Sequence, residues 1–237
     1  MKIIEDRYQG VTIDNTALPE SIIEFQQALN KLLNELTDKK LLWIKLPPLQ
    51  AKFIPILAEL DFQFHHCIEN HVMLVKKLIA DPIVPNAMNF NTGVGAVVLN
   101  EGKLLVIKDR FSIGYKLPGG HIDPHETIEK ALVREVYEET GVKVTFESII
   151  NIGHFLKGQF GEQNLYIVCT AKNISTDINI HDSSEIVDAK WIDVAEFLAC
   201  DDVYPYNKIV VKAVVNGEYS QLKPNPLKLS KPGEVFL

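Results

Sequence analysis

Three glutamates, Glu135, Glu138 and Glu139, fall close together beside one arginine, Arg134. On a helix, side chains three and four residues apart share a face, so Glu135 neighbours both of the others. Like charges at that spacing repel, and a single arginine cannot neutralise three carboxylates. A hard divalent cation resolves the conflict, because Mg²⁺ commonly binds through a few carboxylates together with the phosphates of a substrate. An acidic cluster is also what a solvated helix end looks like, so the surrounding residues decide between the two readings.

The elements around the cluster are clearly punctuated. Asp123 suits an N-cap, Pro124 the first helical position, and Glu126 the third position of a capping box. Gly141 suits the left-handed residue that ends a helix, so the pattern predicts one helix over 124–140. Ile128, Leu132 and Val136 form its apolar stripe, with Ala131 at the edge. Glu135 and Glu139 fall inside that stripe and Glu138 beside it, whereas a purely structural helix would turn its acids the other way. Before the helix, Gly119-Gly120 after Pro118 allows the backbone to approach a metal or phosphate closely. Glu126, two turns before Arg134, is placed to orient its guanidinium.

Taken together, these positions read Gly-x5-Glu-x7-Arg-Glu-U-x-Glu-Glu-x-Gly-U with U apolar, filled by Gly120, Glu126, Arg134, Glu135, Val136, Glu138, Glu139, Gly141 and Val142. This segment resembles the Nudix box, and YKLPGG just before it resembles the family's entry to the box. Leu42 to His66 is similar to the N-terminal pre-Nudix domain of the eukaryotic Nudix hydrolases related to the fibroblast-growth-factor antisense product. Ser184 to Trp191 (SEIVDAKW) resembles the same subfamily, so the likeness runs from about residue 8 to residue 215.

The resemblance implies an α/β (α+β) fold, a Nudix α/β/α sandwich with a mixed sheet behind a small α/β pre-Nudix domain. It implies cleavage of the pyrophosphate bond of nucleoside diphosphate derivatives with Mg²⁺ or Mn²⁺. By position, Glu135 and Glu139 would be metal ligands, Glu138 a third, and the Gly119 carbonyl would complete the set. Arg134 would be an orienting residue with Glu126 as its ion-pair partner. The proton acceptor stays open between Glu139 or Glu135 in the box and Glu185 beyond it. ADP-ribose and reduced NAD are the first substrates expected, with Lys116, His154 and Phe155 as candidate substrate contacts. Phe160 is a further aromatic that could stack on adenine. An oxidised deoxynucleotide, or a non-catalytic nucleotide-sensing module on the same scaffold, is the alternative.

The remaining chain supplies context. Before residue 80, Ile22, Phe25, Leu29, Leu32 and Leu36 recur at helical period, Leu41 to Lys45 reads as a buried strand, and FQFHHC with HVMLVKKL reads as a strand pair. A second helix over 49–60 contains Pro55, so a kink or early end is expected. The Pro- and Asn-rich stretch 79–91 reads as a linker, giving domains 1–85 and 86–237. VGAVVLN and KLLVIKD form a hairpin around Glu101-Gly102. Later strands cover 148–152, 164–171 and 188–192, followed by helices at 194–199 and 207–215 and an extended tail over 223–237.

With 24 Lys plus Arg against 31 Asp plus Glu, the net charge of −7 argues against binding to nucleic acid. No apolar run is long enough to span a bilayer, and the acids in MKIIEDRYQG are unlike a signal peptide, so a cytoplasmic location is expected. A small nucleotide is the expected partner, with a homodimer possible. Cys67, Cys169 and Cys200 lack CxxC pairing and are expected as buried thiols, and Trp43 and Trp191 as core. His65 and His66 are strand neighbours, expected on opposite faces. His121 and His125 are expected as exposed loop residues, and Gly93-Val94-Gly95 lacks the helix a dinucleotide fingerprint needs.

Overall fold

Alternation of apolar residues in the strands sorts the second half of the chain into layers. In the computed structural model, which describes all residues except 7, 8, 86, 88, 89, 157–161 and 227–231, the chain forms two compact units, Met1–Met88 and Asn89–Leu237.

The N-terminal unit contains β1 (Ile3–Glu5), β2 (Gly10–Ile13), α1 (Ile22–Glu35), β3 (Leu41–Leu46), α2 (Ile54–Glu59), β4 (Gln63–Ile68) and β5 (His71–Lys77). Its sheet runs β1-β2-β3-β5-β4, with β2 and β3 parallel and the other pairs antiparallel. Ser21 caps α1 by accepting from the Glu24 N–H, and Phe25, Leu29 and Leu32 bury against Leu42, Ile44 and Leu74. The proline-bearing segment divides as its chemistry requires. A 3-10 turn covers Pro48–Phe53, and Pro55 sits in the first turn of the short α2, where its missing N–H costs nothing. A bulge between Phe64 and His66 corrects the opposite-faces expectation, since it brings the two Nδ1 atoms of His65 and His66 within 2.7 Å.

The C-terminal unit contains β6 (Phe90–Val97), β7 (Leu99–Asn100), β8 (Lys103–Asp109), β9 (Gly119–His121), α3 (Ile128–Thr140), β10 (Val144–Phe155), β11 (Gln163–Asn173), β12 (Ile186–Asp193), α4 (Val194–Ala199) and α5 (Pro205–Asn216). One sheet runs β10-β11-β6-β9 with β11 and β6 parallel, and a second runs β12-β8-β7. Val94 and Ala96 of β6 and Ile167 and Cys169 of β11 point to α3, meeting Ala131, Leu132 and Val136. The alternate residues Val97 and Val168 point the other way, toward Phe197 of α4 and Val210 and Val211 of α5. The result is an α/β/α sandwich with mixed strand directions.

Three expectations are corrected here. The central helix starts at Ile128 rather than 124, because His125 takes a φ of +70° that no right-handed helix accepts, and Thr127 is the N-cap, accepting from the Lys130 N–H. The tail does not simply extend. Lys223 and Leu237 exchange two backbone hydrogen bonds of 2.9 Å, Phe236 packs 5.7 Å from Phe146, and Glu234 Oε2 accepts from the Ile128 N–H at 2.7 Å. Cys169 is buried and its thiol is pushed up to about 12 by that burial, while Cys67 is exposed and Cys200 half-buried, so only one of the three is a buried thiol.

Candidate active site

The helix α3 carries four charged groups to the mouth of one cleft. Leu132 and Val136 anchor it to the sheet, which turns Glu135 and Glu139 toward β9. Glu139 is only 7% exposed. Its Oε2 accepts a 2.7 Å hydrogen bond from the Gly119 N–H, and among the described residues it forms no ion pair. Burial pushes its carboxyl up to about 8, with the Gly119 bond and the Lys116 charge opposing. Glu135 is also raised, by burial first and against the pull of Arg134.

Arg134 is the hub of the cluster. Its Nε and Nη2 bind both oxygens of Glu126 at 2.9 and 2.8 Å, and Nη2 also reaches the His121 carbonyl at 3.0 Å. Its Nη1 donates to Glu135 at 2.8 Å and Glu138 at 3.1 Å. The forked contact on Glu126 fixes the plane of the guanidinium, as Arg–carboxylate pairs do. Arg134 thereby ties the helix to the loop before it. Glu126 also accepts from the Asp123 N–H at 3.1 Å, so Asp123 and Glu126 close a turn outside the helix.

Contact distances require a glycine at 119 and leave little room for a side chain at 120. Gly119 has φ +146°, and a Cβ there would lie 2.1 Å from the Val94 carbonyl oxygen. A Cβ on Gly120 would lie 2.6 Å from Glu135 Oε1. Backbone and carboxylate therefore pack without an intervening side chain. Gly141 takes φ +75° and ends the helix, donating its N–H to the Tyr137 carbonyl.

A third wall comes from residues 179–185. The last carbonyls of a helix lack partners within it, and here later backbone supplies them. Asn179 N–H donates to the Thr140 carbonyl at 2.8 Å, and the His181 and Asp182 N–H groups donate to the Glu138 carbonyl at 2.9 and 2.8 Å. Asp182 Oδ1 then accepts from the Ser184 N–H and hydroxyl and from the Glu185 N–H, closing a turn that carries Glu185.

The resulting cleft, ≈ 400 Å³, is lined by Asp109, Lys116, Gly119, Gly120, His121, Arg134, Glu135, Glu138, Glu139, Asp182, Glu185 and Ile186. It gathers the sequence-predicted Lys116, Gly119, Gly120, Arg134, Glu135, Glu138, Glu139 and Glu185. Glu126 acts from behind through Arg134. His154 and Phe155, at the end of β10, are not among its lining residues. The His154 ring bonds Gln163 and lies 5.6 Å from Phe90, and Phe155 meets Tyr206 edge-on. Phe160 lies outside the described residues. His121, by contrast, lines the cleft.

Two lining acids escaped the sequence reading. Asp109 pairs with Lys116. Burial alone would raise its carboxyl, but hydrogen bonds from Lys116, Ser112 and the Phe111 N–H outweigh it and hold the group near about 2. Its signal was a strand ending in an acid directly before a turn. The signal for Asp182 was its place as the first acid of Asp-Ser-Ser-Glu, a turn-closing spacing.

The donor set suits a hard cation. It is made of carboxylates, and the most buried of them forms no ion pair among the described residues, which is costly for a charge unless a partner arrives. Among the described residues no three His, Cys, Asp or Glu side chains already converge tightly enough to hold an ion, with Arg134 binding two of the three box acids.

Comparison with known proteins agrees with this geometry. Residues 1–78 match the family model described as a Nudix hydrolase domain, and residues 89–214 match the NUDIX domain. The chain is 34% identical to Nudix hydrolase 8 of Arabidopsis thaliana, over 98% of this chain and 68% of that protein. It is 32% identical to Nudix hydrolase 2 of the same plant, over 98% of this chain and 87% of that protein. It is 30% identical to the human nucleoside diphosphate-linked moiety X motif 6 protein, over 90% of this chain and 71% of that protein.

Proposed function

We propose a reaction for this chain on one premise: it belongs to the Nudix hydrolase family. As a Nudix hydrolase it cleaves the pyrophosphate bond of nucleoside diphosphate derivatives. The further reading is that it does so with Mg²⁺ or Mn²⁺ and that ADP-ribose or NADH is its substrate. The observation that carries the metal is the buried Glu139 carboxyl, which forms no ion pair among the described residues and has only the charge of Lys116, itself paired with Asp109, and the Gly119 N–H to offset its burial.

Glu135, Glu138, Glu139 and the Gly119 carbonyl would hold the ion. When bound, it neutralises charge on the diphosphate and lowers the pKa of an attacking water. The chain's own residues supply position. Glu126 holds Arg134, and one nitrogen of Arg134 bridges Glu135 and Glu138, keeping the two carboxylates together at the cleft and ready for a stronger cation. The Gly119 N–H fixes one oxygen of Glu139. Lys116 is proposed to bind a substrate phosphate, leaving Asp109 as its resting partner. Glu185 is proposed to take the water's proton. It is exposed on the rim of the cleft, whereas Glu139 is buried and committed to the Gly119 N–H. Phosphoryl transfer asks for little else from protein groups.

The test is phosphate release from ADP-ribose, NADH, ADP-glucose and an oxidised deoxynucleotide, with and without Mg²⁺ or Mn²⁺. Metal-dependent cleavage of ADP-ribose or NADH above the others is expected. Metal-independent turnover would overturn the metal reading. Tight binding of intact ADP-ribose without cleavage would support the sensing module instead.

A further inference from the structure

An exposed arginine beside so many carboxylates would ordinarily pair with one of them. Arg110, the residue after the cleft-lining Asp109, does not: among the described residues it forms no ion pair. Its Nε donates to the Ser184 carbonyl at 2.7 Å and its Nη2 to the Ser183 carbonyl at 2.9 Å. Its own N–H donates to the Glu185 carbonyl at 3.0 Å. One residue thus binds three consecutive carbonyls of the turn that carries Asp182 and Glu185 into the cleft.

Both sides of this contact are themselves fixed. On one side, Asp109 Oδ1 accepts from the Phe111 and Ser112 N–H groups at 2.8 and 2.6 Å, which locks the backbone around Arg110. On the other, Asp182 Oδ1 closes the 182–185 turn from within, and the Asp182 N–H rests on α3. Ser183, Ser184 and Glu185 are exposed and bury no apolar side chain, so packing does not hold them. The guanidinium fork supplies what packing does not, since its rigid planar donors meet two adjacent carbonyls in a fixed geometry that a freely rotating ammonium does not impose.

We propose that Arg110 is a positioning residue for the hydrolysis, clasping the 182–185 turn so that Glu185 stays aimed at the box carboxylates. This rests on Glu185 acting in the reaction, as proposed above. A misplacement of about 1 Å in a reacting group can cost on the order of 100-fold in rate. The clasp acts on where Glu185 sits, so its loss lowers kcat and leaves KM in place.

The experiment combines hydrogen exchange with a double-mutant cycle on the full chain. In Arg110→Ala, amides of residues 184–186 should exchange faster than in the wild type while those of α3 are unchanged. Unchanged exchange at 184–186 overturns the clasp whatever the substrate. With the fastest substrate of the panel above, Arg110→Ala should lower kcat by roughly 10- to 100-fold. Arg110→Lys should restore only part of the loss, and the melting temperature should stay within about 2 °C, as for other surface changes. In a Glu185→Gln background Arg110→Ala should cost nothing further, because both changes act on one group. Additive losses, or a rise in KM alone, would overturn the role given to Arg110. Wild-type turnover in Glu185→Gln by itself would overturn the reading of Glu185, and the single variants keep these two failures apart.

Discussion

His71 and Glu139 are buried to nearly the same degree, 8% and 7% exposed, one in each unit. Their situations differ. His71 sheds its charge: burial first, then the charges of Lys45 and His66, lower its pKa, and its Nδ1 meets Asn70 Oδ1 at 2.7 Å. A neutral, hydrogen-bonded imidazole asks for nothing more. Glu139 is held by one backbone N–H and would carry its charge at neutral pH only against the push of burial. The N-terminal unit buries what stability tolerates, and the C-terminal unit buries what stability alone would not select. A group whose pKa is displaced by desolvation in a cleft is where chemistry is expected.

That contrast can be broken most directly by substitution. Glu139→Gln should lower kcat by at least about 100-fold, the scale on which losing a single electrostatic contact at a reacting centre is felt. His71→Asn should leave turnover at the wild-type level. Steady-state kinetics with saturating Mg²⁺ checks both, and equal effects would erase the distinction. Gly119→Ala comes next. Its Cβ meets a backbone carbonyl at 2.1 Å in a left-handed conformation, so thermal unfolding should show a loss of about 1–3 kcal/mol.

The pH dependence follows from Glu139 with its sign. Its folded value, about 8, lies above the ordinary 4.5, so the folded chain binds the proton more tightly than the unfolded one. Stability of the metal-free protein should therefore fall as pH rises from about 4.5 to about 8, and denaturant titrations at several pH values measure it. Adding Mn²⁺ near neutral pH should restore stability and release a proton, detectable by calorimetry in buffers of different ionisation heat. The smallest effect belongs to the helix caps. Glu234→Ala removes a carboxylate from the N-terminus of α3 and should cost about 1 kcal/mol, against less for Ser21→Ala, whose cap contact is 3.5 Å long.

Much of the C-terminal unit was legible because its signals are local. Gly141 had to be a left-handed stop, and Glu126 stood at a distance from Arg134 that a shared guanidinium contact can use. The helix start was misread because Asp123, Pro124 and Glu126 satisfy a capping pattern equally well in a turn, and His125 decides between them through a single dihedral. The short strands β1 and β2 went unread because three- and four-residue strands carry too few alternations to register. His65 and His66 were misassigned because a bulge adds a residue that period-two reasoning cannot see.

The order of residues along the chain determined which carboxylates share a helical face, where that helix stops, and that its acids would point at the core. Those properties follow from a fixed rise and rotation per residue, which depend on nothing distant. Only the tertiary structure decided that Asp109 and Asp182, 73 residues apart, face the same cleft as Glu139, and that Arg110 grips Ser183 and Ser184. It also decided that residue 234 caps a helix beginning at 128. Such meetings are set by how β8, α3 and β12 stack. Stacking is governed by burial of apolar area, which favours closeness without naming in advance which polar ends will meet.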